Sequence, residues 1–299
     1  MSDQDPKILI GIDMETDVGS FTPFYEGVKH GTPLLVNLFK EKRIKATFYF
    51  TGEAARENPE IAKLVAGSDN EVGCHSLFHE TLGDELFPIP GLKPVLPEEV
   101  PIRIKKATEW VTEASGIIPV SFRCPRLWGS TTVVNVLEEL GYISDASYPM
   151  YFYRKQFAPY HPSKENWLEK GNMNILEIPN FADMLMISKD FPLERDRDQW
   201  PLFRTQGVDV LIGHINNFLT FTKQKNIPPV LCFYFHPWEF IQMPRRFHFG
   251  ECEVIPDEFI TEGCGYKAYK ALAVLIDYLK EIGGVFYRAD ELAKVKLIV

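Results

Sequence analysis

Lys45-Ala-Thr-Phe-Tyr-Phe-Thr-Gly52 and Glu71-Val-Gly-Cys-His-Ser-Leu-Phe-His79 flank a helical pattern over Glu53 to Ala66. Lys45 to Thr51 is short, apolar and aromatic, as a strand covered on both faces should be. Glu71 to Cys74 reads the same way. Strand, helix and strand in so short a span form one βαβ unit, which implies a parallel pair.

The alternation continues in both directions. Ile8 to Asp13 is the strand upstream. Val120 to Cys124, Tyr142 to Ser147, Asn174 to Pro179, Pro229 to His236 and Gly284 to Arg288 follow downstream. Helical spacing recurs over Thr32 to Lys42, Ser130 to Leu140, Val208 to Lys225 and Tyr266 to Ile282. Ser130 supplies an N-cap, and Gly141 a stop. About eight strands in a chain this long predict an α/β fold, an irregular (β/α) barrel of seven or eight mostly parallel strands. An open doubly wound sheet is the competing arrangement. Phe87 to Pro101 and Pro149 to Gly171 carry proline and aromatic residues without a Gly/Ser run, so they read as ordered loops over one face. Gln242 to Gly263 is a third long insertion. No repeat or domain boundary is visible, so residues 1–299 are expected to form one domain.

The chain has 299 residues, 45% of them hydrophobic and 24% charged, as in ordinary globular proteins. Its formal net charge of −9 argues against a nucleic-acid backbone or an anionic membrane as partner. Cys74, Cys124, Cys232, Cys252 and Cys264 are odd in number and show no zinc-knuckle spacing, so disulfides are not expected. The start, Met1-Ser-Asp-Gln-Asp-Pro-Lys7, does not read as a secretory signal, and no apolar run is long enough to span a membrane. The expected location is the cytoplasm.

Functional groups in parallel α/β folds collect at the carboxyl ends of strands. Here those ends carry Asp13, His75, Arg123, Asp145, Asn180 and His236. His75 and His79 converge on one ion if the backbone turns helically between them. Such a pair needs a third ligand, and Asp13, Glu15 and Asp17 are the acidic candidates. Each residue also has a plainer reading: Asp13 as a turn residue, the histidines as hydrogen-bonded core groups, Arg123 as a structural ion pair, Trp238 as packing. His30, His161, His214 and His248 read as surface or structural. Two histidines and a carboxylate also match the iron(II) oxygenase triad, but the βα alternation argues against that chemistry.

In this order, Lys45-Ala-Thr-Phe-Tyr-Phe-Thr-Gly52, Glu71-Val-Gly-Cys-His-Ser-Leu-Phe-His79 and Phe122-Arg-Cys-Pro125 resemble the polysaccharide deacetylase superfamily, the NodB-homology fold of carbohydrate esterase family 4. The resemblance extends over roughly Ile8 to Leu292. It implies an irregular barrel, hydrolysis of a non-peptide C–N bond, and removal of an N-acetyl group from an amino sugar with a divalent metal, zinc. By the same resemblance Asp13 is the base, His75 and His79 are metal ligands, Arg123 orients the base and His236 is the general acid. Asp145 is expected to hold the His236 imidazole charged.

The chain departs from the family at two places. The usual adjacent aspartates are replaced by Asp13-Met-Glu15-Thr-Asp17. Glu15 lies on the same strand face as Asp13, so it is the expected third ligand, with Asp17 as the substitute. The usual Arg-Pro-Tyr-Gly becomes Arg123-Cys-Pro-Arg-Leu-Trp-Gly129. Trp128, Trp238 and Glu239 are the expected substrate-binding residues. The expected partner is a small-molecule or oligosaccharide substrate, in a chain able to form homo-oligomers. A ring-opening ureide or cyclic-imide hydrolase of the allantoinase type, working without metal, is the alternative chemistry. A non-catalytic sugar-binding protein on the same scaffold is the other alternative.

Overall fold

β1 (Lys7–Met14) is buried along its whole length and anchors the sheet. One edge pairs in parallel with β7 (Val230–Phe235), from Lys7↔Val230 to Ile12↔Phe235. The other edge is shared. Its amino half pairs with β10 (Val285–Tyr287) and its carboxyl half with β2 (Thr47–Phe50), both in parallel. β3 (Glu71–Cys74), β4 (Ser121–Phe122), β5 (Ser144–Asp145) and β6 (Leu176–Glu177) continue from β2 in chain order, all parallel. The sheet curls until the segment after β6 meets β7, where the Phe181 N–H donates to the Cys232 carbonyl at 2.8 Å. This is a curled, irregular barrel with strands in sequential order, so the open doubly wound arrangement does not occur. β8 (Phe247–Phe249) and β9 (Cys252–Val254) form a separate antiparallel hairpin within the third insertion. The computed structural model describes residues 5–89 and 91–295. The residues read for a signal at the start lie partly outside that range, as does Pro90.

All eight expected strands form, though β4, β5 and β6 shrink to two residues each. The helices Thr32–Lys42 and Val208–Lys225 match their expected bounds. The helix starting at Thr131 is capped by Ser130, whose side chain accepts from the Val133 N–H at 3.2 Å. The pattern over Glu53 to Ala66 divides into Gly52–Glu57 and Pro59–Ala66. Pro59 has no N–H to continue the first helix and favours the start of the second. The helix Val100–Ser115 went unrecognised. The sequence pattern ends the Pro-rich loop at Pro101, yet that residue sits in the first turn of the helix, where its missing N–H costs nothing. Among the described residues no helix is long and apolar enough to cross a membrane.

Side chains alternate across β1, so Gly11 and Asp13 face the barrel interior together. Arg123 fills the space above Gly11 and is fully buried. A Cβ at Gly11 would lie 2.1 Å from Arg123 Nη1. Gly11 is thus the gap that admits a guanidinium to the barrel. Gly11→Ala is expected to lower unfolding free energy by about 1–3 kcal/mol through overpacking. Urea denaturation would measure this, and a loss under about 0.5 kcal/mol would show that the gap is not needed.

Candidate active site and metal centre

Asp13 lies at the mouth of the barrel, at the end of β1. Its Oδ1 accepts from Arg123 Nη1 at 2.8 Å. Arg123 is held in turn by Nε donation to the Ala146 carbonyl at 3.1 Å, Nη2 donation to the Phe233 carbonyl at 3.4 Å, and stacking over the Tyr49 ring at 4.5 Å. The Asp13 carboxylate raises the guanidinium pKa against the opposing effect of burial.

Two residues on, Glu15 is 1% exposed and turns toward His75 and His79. Its Oε2 lies 3.4 Å from His75 Nε2 and 2.5 Å from His79 Nε2. Ligand atoms of these three residues all lie within 4.8 Å of one another. Both Glu15 oxygens, His75 Nε2 and His79 Nδ1 are buried without a hydrogen-bond partner, an arrangement that costs free energy unless something binds there. His75 Nδ1 lies 2.7 Å from the Arg123 carbonyl. Only a donor suits a carbonyl, so the proton belongs on Nδ1 and the Nε2 lone pair faces Glu15. Burial pulls His79 down to about 4, which leaves it neutral near pH 7. Burial would raise Glu15, but the two imidazoles beside it, His79 foremost, hold it well below the usual range. A carboxylate and two imidazoles, buried and convergent, are a donor set that suits a divalent cation such as zinc.

The turn between the histidines is not helical. Ser76 (φ 68°) and His79 (φ 58°) are left-handed. Glu80 holds the turn by accepting from the Phe78 N–H at 2.6 Å and the Ser76 hydroxyl at 3.2 Å. Asp17 is not a ligand: its carboxylate accepts from the Gly27 and Glu26 N–H groups at 2.8 and 3.0 Å and pins the following loop.

His236 follows β7 and faces the same cavity as Asp13 and Glu15. Its Nδ1 lies 3.0 Å from Glu239 Oε1, and its ring stacks on Trp238 at 5.2 Å. Glu239 is fully buried and also accepts from Arg204 Nε at 2.5 Å. Burial would lower His236, but its hydrogen bond to Glu239, with the charges of Glu15, Glu239 and Asp13, raises it. Burial would raise Glu239, but Arg204 and His236 hold it down.

Three expected placements change. Asp145 does not reach His236. It accepts from the Ser147 hydroxyl and pairs with buried Glu177, which takes the Ser147 and Tyr148 N–H groups at 3.1 and 2.9 Å. Burial raises both carboxyls, Asp145 to about 6 and Glu177 well above its usual value. Glu239 supports His236 from below and does not line the cavity, and fully buried Trp128 packs edge-on against Phe87. Trp238 does line the cavity.

The cavity has a volume of about 490 Å³. Each of the three long loops contributes to its wall, through Phe87, Tyr151 and Phe259. A fourth segment, unnoticed in the sequence, adds Asp190, Arg195, Asp198 and Trp200. Asp198 is 6% exposed and accepts from the Tyr234 hydroxyl at 2.6 Å. Burial pushes its pKa up to about 6. Tyr234 was legible, being two residues before His236 and so on the same strand face. The other histidines are structural or superficial, as expected: His161 meets the Ile175 carbonyl, His214 meets Asp183, and His30 and His248 are exposed beside glutamates.

The family profile described as polysaccharide deacetylase matches residues 17–144. A peptidoglycan-N-acetylglucosamine deacetylase of Bacillus cereus is 30% identical over 94 residues, 31% of this chain and 30% of that protein. Chitin deacetylase 1 of Cryptococcus neoformans var. grubii is 26% identical over 100 residues, 33% of this chain and 19% of that protein. The chain thus spans less than a third of either relative. Among solved structures, a Mycobacterium smegmatis protein assigned as a polysaccharide deacetylase superposes over 98% of this chain and 90% of its own, with a TM-score of 0.65 at 15% identity. An allantoinase superposes over 98% and 90% with a TM-score of 0.62 at 14% identity, so fold alone does not separate the two chemistries. Residues 17–144 match the deacetylase profile and short stretches match curated deacetylases, so the chain resembles the polysaccharide deacetylases in sequence over this part and in fold over nearly its whole length.

Proposed function

We propose that this protein is a metal-dependent amide hydrolase that removes the acetyl group from an N-acetylated amino sugar or a related small N-acyl compound. One observation carries the reading: the buried Glu15-His75-His79 cluster shares a cavity with an arginine-held carboxylate and a carboxylate-held imidazole. The cavity volume lies within the range of small-molecule sites. Deacetylases acting on peptidoglycan and chitin are the relatives that match in sequence, which favours an acetylated amino sugar. The cysteines are all free, which fits a reducing cytoplasm.

Glu15, His75 and His79 would hold the cation. When bound, a divalent cation supplies Lewis acidity toward an acyl oxygen and lowers the pKa of water. Asp13 takes the proton from the attacking water. Arg123 fixes the carboxylate's position. His236 donates a proton from Nε2 to the departing nitrogen, and Glu239 keeps Nδ1 protonated. The acid and base therefore come from different strands, each with its own counter-ion. The metal-free ureide chemistry gains no support from three convergent ligand atoms. A purely binding scaffold would have no need of the base and acid together.

Asp13→Asn keeps the shape and removes the base. With acetate release from N-acetylglucosamine oligomers as the assay, it is expected to lower kcat by about 10²–10⁴-fold. No acetate release by the wild type from any N-acetylated sugar or small N-acyl compound would sink the deacetylase reading.

The ion pair with Glu239 gives His236 a raised pKa in the folded state. Its contribution to stability is complete below the unfolded value, roughly 6.5, and is lost as pH rises through the folded value. NMR titration of the His236 ring should give a midpoint above about 6.5, falling in Glu239→Gln. A midpoint unchanged by that substitution would remove Glu239 from its role.

A further inference from the structure

Arg126 lines the cavity beside the metal ligands. Its Nη1 donates to the His79 carbonyl at 3.0 Å. Among the described residues no carboxylate forms an ion pair with it. Outside the Glu15–His75–His79 cluster, the acidic groups of the wall each have a partner. Asp13 has Arg123, Asp190 has Arg195, Asp196 accepts from the Ser188 hydroxyl and the Lys189 N–H, and Asp198 has the Tyr234 hydroxyl. Glu15 faces the two imidazoles.

The backbone makes a costly arrangement to present this side chain. Arg126 (φ 58°) and Leu127 (φ 60°) are consecutive left-handed residues, and neither is glycine. Such strain persists only where the surroundings enforce it, and it concentrates at ligand sites. Here the enforcement comes from the Arg126 bond to the His79 carbonyl and from the Leu127 N–H to the Cys124 carbonyl at 3.0 Å. Burial lowers the Arg126 pKa, while Glu15 opposes the fall, and a guanidinium remains charged throughout the physiological range. A half-buried cation without a counter-ion is a natural receptor for one.

We propose that Arg126 binds an anionic substituent of the substrate, a carboxylate or a phosphate, and so selects charged N-acyl compounds over neutral ones. This rests on the deacetylase reading for the site but concerns a different contact. The fork of guanidinium donors left free by His79 suits either anion through paired oxygens.

The test is calorimetric titration of the zinc-incubated protein with three probes: N-acetylglucosamine, its 6-phosphate and N-acetylmuramate. At least one anionic probe should bind about 10–100-fold more tightly than the neutral sugar. Arg126→Gln should abolish that preference and Arg126→Lys should retain part of it, with zinc content unchanged in both. The anion that gains identifies which chemistry the site takes. Equal affinity for all three probes, no binding by any, or a preference that survives Arg126→Gln would overturn the proposal. Acetate release is followed separately. Anion preference without acetate release would leave Arg126 its role and remove deacetylation, and acetate release without anion preference would do the reverse.

Discussion

The ion pair between Asp13 and Arg123 inside the barrel is the constraint on which the site depends. A guanidinium that is fully buried must satisfy its donors without water, and Arg123 does so across strands far apart in sequence. It reaches Asp13 at the end of β1, the Ala146 carbonyl after β5 and the Phe233 carbonyl in β7, while resting on Tyr49 of β2. Buried pairs of this kind add little net stability, because desolvation offsets attraction, but losing one partner costs about 3–5 kcal/mol. Their effect is to fix geometry. Asp13 cannot turn away, and Glu15, two residues further along, is placed against the histidines.

The cavity then divides into two electrostatic regions. On one side, burial lowers His79 and the imidazoles hold Glu15 low, the states that metal binding would require. On the other, Glu239 raises His236, and Arg204 prevents Glu239 from taking the proton itself. Histidines facing one cavity therefore carry opposite tendencies, set by their neighbours. The Asp145–Glu177 pair is different again. Two buried carboxyls whose pKa values are both raised retain a proton between them near neutral pH, and they hold the backbone that accepts from Arg123 Nε.

Much of this was legible in the sequence because it follows strand periodicity. Asp13, His75, Arg123 and His236 close apolar strands, and side-chain alternation alone separates Glu15 from Met14 as a ligand. What escaped follows no period. Asp198, Trp200 and Arg204 come from a segment between β6 and β7 that has no regular pattern, and its position over the cavity arises from tertiary contacts such as Tyr234 with Asp198. Following His236 so closely, Glu239 reads in the sequence as a pocket residue. Only the tight turn Pro237–Phe240, which folds it back beneath the imidazole, reveals it as the counter-ion. Asp145 was misassigned for the converse reason. A strand residue has two faces of neighbours, and its own sheet supplied Ser147 and Glu177.

The central claim is that Glu15, His75 and His79 together bind a divalent cation, and metal content by inductively coupled plasma mass spectrometry addresses it directly. The purified wild type should carry about one zinc or other divalent ion per chain, and folded Glu15→Ala and His75→Ala/His79→Ala proteins should carry almost none. A wild type that takes up no ion even after incubation with zinc or cobalt would contradict the account.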